Sequence, residues 1–154
     1  MAQDEPNNGM NLIDSRDIIE RIESLELDLE IAADMEAGKL QQRWTLWHAW
    51  TNKPETYLDE GEQETIQAEL KILKSVEEEA EGYASDWQYG ETLIRCTYFK
   101  DYAQELAEDC GMVTKDSNWP NRHGYIDWDR AARDLQVDYT SVDYDGIEYW
   151  IRAS

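Results

Sequence analysis

The 154 residues suffice for one ordinary domain or two small subdomains, and a 41% hydrophobic content supplies a core, which excludes global disorder. Asp and Glu number 35 against 14 Lys and Arg, a net charge of -21, with a pI near 4.2 and a mean hydropathy of -0.80. A field of that sign repels nucleic acid, nucleotides and anionic membranes and attracts basic protein surfaces, so direct nucleic-acid or membrane binding is not expected.

Residues Met1 to Asn11, with Pro6, Asn7, Asn8 and Gly9, read as a flexible lead-in. Asp14 or Ser15 can cap a helix whose apolar stripe runs Ile18, Ile22, Leu25, Leu29 and Ala32 or Ala33, with Gly38 as its stop. Trp44, Trp47 and Trp50 follow, three indoles within seven residues. Packing between neighbouring helices is their expected role, and a hydrophobic partner-binding patch is the sharper alternative. Asn52-Lys53-Pro54 breaks the chain, and Asp59 with Glu62 forms a capping-box pattern. A second long helix then runs through Ile66, Leu70, Leu73, Val76 and Ala80. Two such helices predict an antiparallel helical hairpin.

Beyond Gly82 the texture changes, which sets expected units at 1–82, an acidic helical hairpin, and 83–154, a small α+β subdomain. Phe99, Tyr102, Ala103 and Leu106 mark a helix ending near Gly111; 112–125 reads as an ordered loop pinned by Trp119. Asp127 can cap a short helix through Trp128, Ala131, Ala132 and Leu135. Tyr139, Val142 and Tyr144, then Asp145-Gly146, then Ile147, Tyr149 and Ile151 predict a β-hairpin with a two-residue turn. The expected fold class is α+β, mainly α, ending in that hairpin.

The acidity is spread over the chain: 1–82 carry 21 acidic and 7 basic residues, and 83–154 carry 14 and 7. A ten-base-pair turn of B-DNA carries about 20 charges, close to the net charge of one chain. In the first helix Asp17, Glu20, Glu23, Glu26, Glu30 and Asp34 recur at steps of three or four, one carboxylate about every 5 Å along the axis. Glu77, Glu78, Glu79 and Glu81 crowd the end of the second helix, where the helix dipole disfavours anions. Asp101, Glu105, Glu108 and Asp109 share helical spacing, and Asp127, Asp129 and Asp134 follow with Arg130 and Arg133 among them.

Catalysis is not expected. The chain has no Gly-rich phosphate loop, no Ser or Cys elbow and no paired His at metal-ligand spacing, so neither catalytic residue, metal nor cofactor is assigned. A Mg²⁺-dependent nuclease built from carboxylates would repel its own substrate. Cys96 and Cys110 read as reduced thiols, and His48 and His123 lie far apart. With no basic segment leading into an apolar run and no stretch approaching 18 apolar residues, a cytosolic location is expected.

The stretch Tyr125-Ile126-Asp127-Trp128-Asp129-Arg130-Ala131-Ala132-Arg133-Asp134-Leu135 resembles the C-terminal part of ArdA-type antirestriction proteins. Upstream, Tyr98 to Asp109 is similar to small phage antirestriction-like proteins, so the resemblance covers about the last 65 residues. The resemblance implies an elongated acidic dimer, carried by phages and conjugative elements, that imitates bent DNA and blocks type I restriction enzymes. The expected function is therefore a DNA-mimic inhibitor whose carboxylates occupy the DNA channel of a basic host defence enzyme, with a homodimer as the implied assembly. A second reading stays open on the residues alone: a helical interaction module, such as an anti-CRISPR or transcription regulator, acting through the Trp patch without mimicry.

Overall fold

The computed structural model describes residues 5–36, 58–113 and 125–154. Gly38, the Trp44, Trp47 and Trp50 cluster, Asn52-Lys53-Pro54 and Trp119 lie outside the described residues.

A three-residue strand, β1 (Leu12–Asp14), runs directly into helix α1 (Ser15–Glu36). Of the two candidate caps, Asp14 takes the role, its Oδ1 accepting from the backbone N–H of Arg16 at 2.9 Å. The Arg16 guanidinium grips the same carboxylate and holds its carboxyl below the ordinary range. Ser15 enters the helix fully buried as a crosslink: its hydroxyl donates to the Trp87 carbonyl and accepts from the Glu91 N–H, each at 2.7 Å. The apolar stripe then buries Ile18, Ile22, Leu25 and Ala32.

Helix α2 (Glu60–Glu81) opens on the expected capping box, Glu62 N–H donating to Asp59 and Asp59 N–H to the Glu62 carboxylate. Its seam buries Leu73, Val76 and Ala80 against α1. The chain returns within six residues to Trp87 beside the start of α1, so the helices are antiparallel neighbours. A single 3-10 turn (Trp87–Tyr89) leads to β2 (Thr92–Arg95), followed by α3 (Phe99–Asp109) and α4 (Trp128–Leu135). Asp127 caps α4 as its sequence position predicts, accepting from Arg130 N–H at 3.1 Å. Strands β3 (Tyr139–Tyr144) and β4 (Ile147–Arg152) close on Asp145 (φ 49°) and Gly146 (φ 84°), the positive pair that the mirror-image hairpin turn requires.

The strands form one antiparallel sheet in the order β1-β2-β4-β3. Alternation on the strands separates two cores. Leu93, Val142, Tyr144, Tyr149 and Ile151 face α1 and α2 with Ile13, whereas Ile94, Tyr139 and Trp150 face α3 and α4. In the second core the Phe99 ring meets Tyr139 edge-on at 5.2 Å and Trp150 at 6.1 Å. The larger core draws on residues from both sides of Gly82.

The lead-in differs from its expectation. Residues 5–11 are pinned across the hairpin: Tyr144 donates its hydroxyl to the Pro6 carbonyl at 3.0 Å and Tyr149 to the Met10 carbonyl at 2.5 Å. Glu5 pairs with Arg21 at 2.9 Å. A polar segment without periodicity is ordered here by acceptors that two phenols reach from over 130 residues away.

Candidate partner-binding surface

The helical period decides where each carboxylate of α1 and α2 goes. On α1, Glu20, Glu23, Glu26 and Glu30 are exposed and Asp17 and Asp34 half-buried. Glu23 and Glu26 turn towards α2, where Glu77, Glu78 and Glu81 turn back to meet them. Between them lies an open groove of about 780 Å³, lined also by Ile19, Ile22, Lys74 and Gln88. Glu79 does not join, because a residue two steps from Glu77 is rotated by about 200° around the helix. It faces β3 instead, accepting from the Asp143 N–H at 3.3 Å. The sequence cluster Glu77 to Glu81 is thus divided between groove and sheet.

Among the described residues, five carboxylates share this groove with one cation, Lys74, whose Nζ is ion-paired with Glu26. Glu77 shows the consequence. Burial pushes its carboxyl up from the ordinary range, the Trp87 indole N–H holds it down in part, and Glu81 and Glu26 raise it further. Trp87 itself is 1% exposed and its Nε1 is buried without a partner in good hydrogen-bond geometry. Away from the groove, Arg21 clamps Glu69 through two donors at 2.8 and 3.1 Å and so compensates that carboxylate.

The opposite layer is acidic in a different way. On α3, Asp101, Glu105 and Asp109 are exposed and Glu108 half-buried; around α4, Asp127, Asp129 and Asp134 are exposed. Several are engaged locally: Tyr98 donates to Glu105 at 2.8 Å, Lys100 pairs with Asp129 at 3.1 Å, and Asp127 is consumed as a helix cap. Arg133 reaches back to the Asp129 carbonyl at 3.3 Å. The predicted residues therefore form two acidic faces on opposite sides of the sheet. Ile19, Lys74, Trp87 and Gln88 were absent from the sequence-level set. Lys74 was findable, being three and four residues before Glu77 and Glu78, whereas the indole of Trp87 reaches Glu77 only through tertiary packing.

The model of the antirestriction protein ArdA matches residues 13–148. The chain belongs to the ArdA antirestriction family. The match extends well upstream of the C-terminal residues that carried the resemblance, through α1 and α2, so the helical pair is part of the ArdA region. No curated protein and no solved structure matches the chain. Among the described residues of this ArdA chain, no group of three or more His, Cys, Asp or Glu is arranged to hold a metal ion. None of its described helices is long and apolar enough to cross a membrane. Cys96 and Cys110 are free thiols.

Proposed function

We propose that this ArdA protein is a DNA-mimic inhibitor of host DNA-targeting defence enzymes, type I restriction-modification enzymes first among them. Its carboxylates stand where phosphates would stand in the enzyme's DNA channel and pair with the Lys and Arg that line it. The observation that carries the reading is the α1–α2 face, where, among the described residues, five carboxylates meet across a groove beside one lysine. Glu20, Glu30, Asp17 and Asp34 continue that charge along α1, and the α3–α4 carboxylates supply a second, more neutralised face. Membership of an antirestriction family points to the same class of partner. Inhibition by occupancy requires neither cofactor nor turnover, and the protein acts as a binder, not an enzyme. A bacterial cytosolic site of action and a homodimer that lengthens the acidic face complete the reading.

The test is competition. The purified protein should inhibit DNA cleavage by a type I restriction enzyme, lose potency steeply as salt is raised, and be displaced by excess duplex oligonucleotide. Inhibition that neither salt nor duplex DNA weakens would rule out mimicry.

A further inference from the structure

We infer that Glu79 guards the edge of the sheet, keeping strand β3 from pairing with the same strand of a second copy of this chain. The inference goes beyond the decoy reading and does not depend on it.

The hairpin turn decides which backbone groups face outward. Because Asp145 and Gly146 form a two-residue turn, Tyr144 and Ile147 are the first pair to exchange hydrogen bonds, and the alternation of an antiparallel ladder follows from there. Tyr144, Val142 and Thr140 therefore spend their N–H and C=O groups on β4. Tyr139, Ser141 and Asp143 aim theirs away from it, and among the described residues no strand lies beyond β3. Six residues rich in Tyr, Thr and Val are long enough, and β-prone enough, to template another strand.

The outward donors meet different fates. The Tyr139 N–H turns back to the Gln136 carbonyl, in the 3-10 turn (Gln136–Asp138) that precedes the strand. The Asp143 N–H donates to Glu79 Oε2 at 3.3 Å, a contact that reaches the edge from α2, 64 positions away. Ser141 lies between them. Pairing about a two-fold axis at Ser141 would set Asp143 of one copy opposite Tyr139 of the other. The Asp143 N–H would then have to donate to that Tyr139 carbonyl, and Glu79 already fills the place where the carbonyl must arrive. Symmetry repeats the collision at the other end, and each carboxylate would lose water beside an oxygen of like partial charge.

Glu79 gains little for its own helix in return. It is exposed and stands in the last turn of α2, where the helix dipole disfavours an anion. Blocking an edge is a role that this placement does serve. The homodimer of the proposed function then joins through another surface.

Sedimentation velocity on the full chain, across a concentration series, tests the guard. Glu79→Ala should self-associate about tenfold more tightly than the parent, the scale of one hydrogen bond regained. Glu79→Gln, which keeps an acceptor oxygen and loses only the charge, should fall between the two. Glu64→Ala, an equal charge change on an exposed residue about four turns earlier on α2, should match the parent. In the associated state of Glu79→Ala the Ser141 amide should become protected from hydrogen exchange, and adding Ser141→Pro should restore the parent's size. Proline is tolerated there because the Ser141 N–H points away from β4. Thermal melts close to the parent's show that the variants fold. Parent-like sedimentation of Glu79→Ala, equal association of Glu64→Ala, an unprotected Ser141 amide, or association that survives Ser141→Pro would each overturn the guard. None of these readouts uses a restriction enzyme, so the guard and the decoy stand or fall separately.

Discussion

The two helical layers that sandwich the sheet are both acidic, and they handle that acidity oppositely. Around α3 and α4 the carboxylates have local duties: Asp127 caps a helix, Glu105 receives the Tyr98 hydroxyl, and Asp129 holds Lys100. Between α1 and α2, among the described residues, five carboxylates converge on a groove with one already paired lysine. Formal charge therefore does not set the field by itself. What a basic partner feels is the charge left after caps, phenols and ion pairs have taken their share.

Core substitutions should separate the two layers most strongly. Leu93 and Ile94 are adjacent on β2, both fully buried, and point into different cores. Leu93→Ala should cost about 3 kcal/mol in urea unfolding and Ile94→Ala about 2 kcal/mol, since the smaller core has more room to collapse around the cavity. The reverse order would make the α3–α4 layer the firmer one.

Charge removal sharpens the functional side of the comparison. Changing Glu23, Glu26, Glu77, Glu78 and Glu81 together to Gln should weaken inhibition of a type I restriction enzyme on the order of 100-fold, given roughly half a kcal/mol per exposed charge. Neutralising Asp101, Glu105, Glu108, Asp109 and Asp134 should weaken it less than about tenfold, because part of that charge is already spoken for. Both variants should melt higher than the parent, as self-repulsion falls. Equal losses of inhibition would show that only total charge matters.

A smaller effect tests the pinned lead-in. Tyr144→Phe removes the bond to the Pro6 carbonyl and should cost about 1 kcal/mol, read by chemical denaturation, with faster hydrogen exchange in residues 5–11. Burial pushes the Tyr144 phenol up to about 12, above its ordinary 10.0. The folded state thus keeps this proton longer than the unfolded chain, and stability falls as pH rises from about 10 towards 12. In Tyr144→Phe that part of the alkaline loss should vanish.

The smallest effect concerns Glu77 and acid. Its carboxyl is raised, chiefly by burial, so protonation favours the folded state and stability declines as pH climbs through its folded pKa. Glu77→Gln should flatten that segment of a melting-temperature profile above the ordinary value of 4.5. An unchanged slope there would mean that Glu77 is as well solvated as its exposed neighbours.

The local signals in the chain were strong enough to write several elements without tertiary help. Asp59 with Glu62, Asp127 before Trp128, and Asp145-Gly146 each solve a problem of backbone valence or backbone angle within four residues, and the structure uses all three as written. The long helices followed from apolar residues at steps of three and four. The strands β1 and β2 are three and four residues long, too short for alternation to register. Leu12 meets Ile94 only because the sheet brings them together across 82 positions. The groove belongs to the same class. Sequence placed acids at Glu23, Glu26, Glu77, Glu78 and Glu81, but which face each other, which one a buried indole touches, and that Glu79 turns to the sheet depend on how two antiparallel helices are rotated over a common core. Helix formation is satisfied by neighbours along the chain, whereas rotation is set by side chains packing across it, and so the field was decided by the tertiary structure.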